Sequence, residues 1–174
     1  MLDGEPRPPA GGWAERVLRM SVRDLVRTGS FDGIAVGAAK EQLREVLPEP
    51  SSWAPTDGPE SDLWSYGSVD LVFCGGLLLS IFCDGLEHLG HEDPHVDRIA
   101  VDASFLRPGM TGAQLVDALR ADGIAWSVRP GAVPEHTARV RTGPHGVEFL
   151  LESDPWEPAD PGEMRLIGFE HRAR

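Results

Sequence analysis

Asparagine is absent from this chain and lysine nearly so, with Lys40 alone beside 15 arginines. That bias points to codon usage in a GC-rich bacterium of actinomycete type, which concerns origin and not chemistry. Cysteine is scarce too: Cys74 and Cys83 are the only two, which excludes a disulfide-rich scaffold. Basic side chains number 16 against 28 acidic ones, for a formal charge of −12. A phosphate-binding surface needs clustered Lys and Arg, so a balance this acidic argues against nucleic acid as partner. It suits a basic protein instead; the plainer alternative is that the charge serves solubility alone.

Long hydrophobic runs are also missing. The longest uncharged apolar stretch, Leu71 to Cys83, falls short of the roughly 20 residues of a membrane helix. Residues 1–12 are acidic and proline-rich, with no basic segment leading into an apolar one, so no secretory signal is expected. The expectation is a cytoplasmic protein without membrane contact. Recurring catalytic signatures are lacking as well: there is no Gly-x-Ser-x-Gly elbow, phosphate-binding Gly-x-x-x-x-Gly-Lys loop, His-Glu-x-x-His or Gly-x-Gly-x-x-Gly. No cofactor is implied.

What the chain does contain is an internal echo. Gly109 to Leu119, Gly-Met-Thr-Gly-Ala-Gln-Leu-Val-Asp-Ala-Leu, matches Gly37 to Leu47 at Gly, Gln, Leu and Leu with a constant offset of 72 residues. Each copy continues through a tryptophan (Trp53, Trp126), a Pro- or Gly-rich loop and a strand-like run. The expected fold is α+β: two tandem helix-plus-antiparallel-sheet repeats forming one domain, with an extra N-terminal helix. The boundaries are a mobile tail over 1–12, the helix over 13–29, and repeats over 30–103 and 104–174.

Trp13 to Arg27 carries Trp13, Val17, Leu18, Val22, Leu25 and Val26 on one stripe, which predicts an amphipathic helix stopped by Gly29. The first repeat helix is expected over Ala38 to Leu47, with Ala39 where a cap should stand and a start that is frayed or otherwise anchored. Pro48 to Asp62 is expected as a loop around Trp53. Val69–Cys74 and Leu77–Cys83 should form a hairpin about Gly75-Gly76, with Phe73 facing Leu78, Leu71 facing Ser80 and Val69 facing Phe82. Both faces of that hairpin are apolar and should be covered. The same register puts Cys74 and Cys83 too far apart for a disulfide.

A further strand is expected within His95–Ala103, followed by a helix opened by a Thr111–Gln114 capping box and ending near Asp122-Gly123. Four more strands are expected over Ala125–Val128, Thr137–Thr142, Val147–Glu152 and Glu163–His171. Alternation of Val147, Phe149 and Leu151 with Glu148 and Glu152 predicts an acidic outer face.

Arg107 to Leu115, Arg-Pro-Gly-Met-Thr-Gly-Ala-Gln-Leu, together with the doubled helix-then-strands order, resembles the tandem-repeat β-lactamase inhibitor protein fold. The Gly-Met-Thr-x-x-Gln opening is also similar to that of small outer-membrane assembly lipoproteins. The first resemblance implies a fold whose sheet serves inhibition, over most of Gly33 to His171. Those secreted inhibitors rely on disulfides in their repeats and the lipoproteins on an N-terminal cysteine, neither of which this chain has. Inhibition of β-lactamase and membrane anchoring are therefore not carried over.

The candidate constellations are few. Cys83 to His95 concentrates three of the six histidines with several acids, and His88, His91, His95 with Cys83 or Asp93 have the donors that zinc takes. Their spacing fits no known ligand pattern, and a solvated loop is the plainer reading, so no metal is assigned. The acid pairs Asp57/Glu60 and Glu157/Asp160, and His136 and His145, fall in expected loops where solvated charge is the ordinary state. Trp13, Trp64 and Trp126 suit a core. Trp53 and Trp156, in polar loops, suit either interface anchors or plugs of their own domain.

The sequence thus points to a non-catalytic protein-binding domain of immunity or inhibitor type that neutralises a basic toxin or enzyme. Glu148, Glu152, Trp156, Glu157, Asp160 and Trp53 are the expected contacts. The chain would be a monomer or weak homodimer. The alternative is a small enzyme or ligand- or metal-binding protein using the His88/His91/His95 region.

Overall fold

The structure, a computed structural model, describes residues 12–56 and 61–173. The expected tail, apart from Gly12, and the Asp57/Glu60 pair lie outside the described residues. Trp13 to Arg27 is not one helix: strand β1 (Leu18–Ser21) precedes helix α1 (Val22–Thr28). Leu18 and Met20 are buried while Arg19 and Ser21 are not, a period of two that a broad helical stripe conceals. β1 is held as a strand by parallel pairing with a later segment, Ile99–Asp102. The Ser21 hydroxyl accepts from the Asp24 amide at 3.2 Å, and Gly29, at φ 73°, ends the helix. A two-residue hairpin of β2 (Ser30–Phe31) and β3 (Ile34–Ala35) then leads to helix α2 (Lys40–Val46).

The main sheet is antiparallel throughout. Its strands are β4 (Ser52–Pro55), β5 (Asp62–Tyr66), β6 (Val69–Cys74), β7 (Leu77–Cys83), β9 (Trp126–Pro130), β10 (Thr137–Thr142), β11 (Glu148–Glu152) and β12 (Arg165–Arg172). They lie side by side as β4-β5-β6-β7-β12-β11-β10-β9. β8 (Ile99–Asp102) pairs only with β1, so just part of the strand expected over His95–Ala103 forms. Helix α3 (Gly112–Ala121) lies between β8 and β9 in the chain. The protein is thus a mixed α+β fold. Ser52–Pro55 corrects the expected loop: Trp53 stands opposite Trp64 in a strand pair.

Leu25, Leu43, Leu115 and Leu119 from the three helices share one buried cluster with Trp64, Phe73, Phe149 and Phe169 from the sheet. Trp13 packs edge-on against Trp64, ring centroids 4.9 Å apart. α3 opens with the expected capping box: Thr111 Oγ1 accepts from the Gln114 amide at 3.4 Å, and the Thr111 amide donates to Gln114 Oε1 at 2.9 Å. α2 has no side-chain cap at Ala39. Its start is anchored on the β6–β7 turn instead, by Gly37 N to Leu78 O (2.7 Å), Leu78 N to Ala38 O (2.8 Å) and Lys40 N to Gly76 O (2.8 Å). Among the described residues no helix is long and apolar enough to cross a membrane.

The β6–β7 register decides which side chains face outward. Phe73 opposes Leu78 as expected, but a bulge then sets Leu71 opposite Ile81 and Asp70 opposite Phe82. One extra residue on one strand inverts the facing of all that follow. Ile81 and Cys83 turn into the core, where both are fully buried, and Phe82 turns outward. The hairpin stays apolar on both sides, with Val72 and Phe82 on the outer one, but the described helices pack on the inner face only. A second irregularity lies between β11 and β12. There a Cβ at Gly168 would come within 2.3 Å of the Cys83 carbonyl oxygen, so only glycine fits where β7 and β12 meet.

Candidate functional site

The uncovered face of the sheet follows from strand register. Ser52, Ser65, Asp70, Phe82, Glu170, Glu148, Arg141 and Ser127 are successive cross-strand neighbours, one per strand, across all eight strands. Beside that row lie Leu63 and Val72 toward β4, and Leu150, Arg139 and Arg129 toward β9. Leu63, Val72, Phe82 and Leu150 are all half-buried. They touch their neighbours in the sheet and stay open above.

Charge is laid out unevenly on this face. Asp70 is hydrogen-bonded by Ser65, but burial, and then the negative charge of Asp84, raise its pKa above the ordinary value. Among the described residues no cation stands within ion-pair distance of it. Glu170 is fixed by the Ser80 hydroxyl, which donates to Oε1 at 3.1 Å. Arg139 Nη1 lies 2.9 Å from Glu148 Oε2 and 3.7 Å from Glu170 Oε2, and Arg141 Nη1 lies 3.5 Å from Glu148 Oε1. A hollow of about 320 Å³ opens among Arg139, Arg141, Gly146, Glu148, Glu170 and Arg172. The expectation of an acidic outer face is therefore corrected: the glutamates of β11 and β12 are matched by arginines from β10. The clue was the alternation Thr-Ala-Arg-Val-Arg-Thr over Thr137–Thr142, which places both arginines on one face.

Comparison with protein-family models, curated proteins and solved structures gave no match.

The expected contact residues do not form one cluster. Glu148 lies inside the ion-pair network, while Glu152 at the end of β11 is exposed. Trp156, Glu157 and Asp160 are exposed on the β11–β12 loop, where the Trp156 amide donates to Asp154 Oδ1 at 2.9 Å and the residue is 90% exposed. Trp53 belongs to the opposite edge strand and packs partly on the core. Trp126, expected inside, is 37% exposed: it points to the helix side, but the whole of β9 is exposed, beyond the reach of the helices.

His88, His91 and His95 are all exposed. Among the described residues no three His, Cys, Asp or Glu side chains converge as a metal site would require. Cys83 is buried away from them, and burial pushes its thiol up to about 12. A larger hollow, about 680 Å³, lies between α1 and α3. There Arg23 covers the Phe105 ring at 5.9 Å and meets Asp122 at 2.8 Å.

Proposed function

We propose that this chain is a non-catalytic binding protein of immunity or inhibitor type, which neutralises a basic toxin or enzyme by gripping it on the uncovered sheet face and the adjoining acidic loop. The observation that carries the reading is the face itself: eight strands wide, with half-buried Leu63, Val72, Phe82 and Leu150 and no described helix laid on it. Apolar side chains held in a polar surround are suited to a protein partner. Trp156, beside Asp154, Glu157 and Asp160, adds an aromatic anchor of the kind that dominates binding energy. Asp70, disfavoured as a carboxylate and lacking a cation, would gain a charge partner from a lysine or arginine of the bound protein.

Two tandem repeats remain part of this proposal. Support comes from the order of elements, since α2 precedes β4 to β7 and α3 precedes β9 to β12. The strand order adds that the last strands of the two sets, β7 and β12, lie side by side. That arrangement keeps the resemblance to the tandem-repeat β-lactamase inhibitor fold as the working comparison. Two free thiols, Cys74 and Cys83, suit action in a reducing compartment such as the bacterial cytoplasm.

The test is affinity capture from the native bacterium, followed by calorimetry with the captured protein. A tight, salt-sensitive complex with a basic protein, weakened tenfold or more by Trp156→Ala and by Asp70→Arg, is expected. A complex indifferent to both variants removes the surface assignment, and capture of a metabolite or metal in place of a protein removes the reading.

A further inference from the structure

The sequence holds 28 acidic residues and 16 basic ones, yet one end of the uncovered face is basic. On β9 and β10 the outward side chains are Ser127, Arg129, Thr137, Arg139 and Arg141, three arginines without a carboxylate. Arg129 and Arg139 stand directly opposite each other, an arrangement that like charges disfavour. Two strands further on, Arg172 borders the same hollow as Arg139 and Arg141. Among the described residues Glu148 and Glu170 are the only carboxylates lining that hollow, and Arg139 and Arg141 already engage them. Among the described residues no carboxylate lies within 4.0 Å of Arg129 or Arg172. Among the described residues the hollow is therefore lined by three arginines, Arg139, Arg141 and Arg172, against two glutamates.

Pairing with Glu148 and Glu170 accounts for Arg139 and Arg141, but among the described residues the fold gives Arg129 and Arg172 no such partner. In a chain with so many acids, arginines scattered among them would be better placed than arginines facing each other. Gly146 lines the hollow too, at φ 78°, in the left-handed region that glycine favours. Arginine forks are matched to carboxylates and phosphates. Glu152 at the far end of β11, with Asp154, Glu157 and Asp160 on the loop beyond it, would repel the continuous charge of a nucleic-acid strand lying along β11. A protein segment carries its carboxylates locally and avoids that conflict.

We infer that the β9–β10 end of the face, Arg129, Arg139, Arg141 and Arg172, seats an acidic segment of the protein partner, with aspartate or glutamate side chains entering the hollow. This rests on the protein-binding proposal and deepens it. The partner, basic overall, presents carboxylates to β9 and β10 and cations toward Asp70. The bound orientation is thereby fixed, because turning the partner end for end would set like charges together.

The probe is triglutamate, added to the full, isotope-labelled chain at low salt while the arginine Nε–Hε resonances are followed, with trilysine and trithymidylate as controls. Triglutamate is expected to shift the signals of Arg129, Arg139, Arg141 and Arg172. Its affinity should fall at least tenfold in Arg129→Ser/Arg172→Ser, a variant that breaks no ion pair among the described residues and whose amide spectrum reports retained structure. Absence of those shifts, or equal affinity in the double variant, overturns the inference. Tighter binding of trithymidylate at the same arginines overturns it in favour of nucleic acid. A captured protein that binds wild type and the double variant equally leaves protein binding standing and removes only the acidic-segment assignment. Triglutamate bound in the hollow with no protein captured removes the functional proposal and keeps the anion site.

Discussion

Glu148 stands directly opposite Glu170 on neighbouring strands, and the Arg139 guanidinium lies 2.9 Å from one and 3.7 Å from the other. Two facing carboxylates are held together by one shared cation. Arg139→Ala should therefore lower stability by about 0.5–1 kcal/mol, a small value because exposed pairs are screened. Denaturant titration in low salt and in 1 M salt checks it. A loss that does not shrink in salt would mean that the arginine acts by packing alone.

Asp70→Asn should stabilise the protein at neutral pH. The folded environment raises the Asp70 pKa, so ionisation is disfavoured in the native state, and the penalty is present above the raised pKa. Below the unfolded value near 3.9 the carboxyl is protonated in both states and the penalty vanishes. The two proteins should thus differ in melting temperature at pH 7 and converge near pH 3. Equal stability at both would refute the account.

His171 predicts a change of opposite sign. It is buried on β12, and its pKa is lowered first by burial, with the Gly29 backbone opposing and His145 adding to the shift. As pH falls below about 6.5, the unfolded chain binds a proton that the folded one refuses, so stability drops and levels off only below the depressed folded pKa. His171→Phe should flatten this part of the profile. An unchanged slope would assign it to other groups.

Thiol labelling should separate the two cysteines. Cys74 is exposed; Cys83 is buried with its thiol pushed up to about 12, leaving little thiolate at neutral pH. One equivalent of a thiol reagent should react in the native protein and two in denaturant. Rapid reaction of Cys83 in the folded state would contradict the bulge that turns it inward.

Thr111→Ala should remove the hydrogen bond that Thr111 Oγ1 accepts from the Gln114 amide, at a cost of about 1 kcal/mol, while the residue 111 amide still donates to Gln114 Oε1. The matching change at α2, Ala39→Ser, should gain a fraction of that. Chemical denaturation of both variants checks the pair. A neutral Thr111→Ala would show that the Met164 and Gly162 carbonyls, which accept from the Gly112 and Ala113 amides at 2.9 Å, suffice with Gln114 to anchor that helix start.

The elements visible in sequence were those written in local pattern. Gly75-Gly76 marked its hairpin, Thr111 and Gln114 marked their helix, and alternation marked β10 and β11. What stayed hidden depended on distant partners. Leu18 and Met20 read as helical until Ile99 and Val101 supplied a parallel strand, and Trp53 read as loop until Trp64 stood opposite. The candidate face was hidden for a sharper reason: a single bulged residue near Leu79 decides whether Ile81 or Phe82 faces solvent, and nothing in Leu-Leu-Leu-Ser-Ile-Phe-Cys announces it. The basic end was masked by the −12 total, since net charge carries no information on where 15 arginines fall.

The pairing of β7 with β12 has a consequence in time. At synthesis rates of roughly 5–20 residues per second, the roughly 80 residues between the two strands take about 4–16 seconds to emerge. During that interval β4 to β7 can pair among themselves, while the outer edge of β7, rich in leucine, isoleucine and phenylalanine, waits without a neighbour. An unpaired apolar edge invites another chain. Between the making of Cys83 and the arrival of Phe169, newborn copies on one message can accordingly meet through this edge.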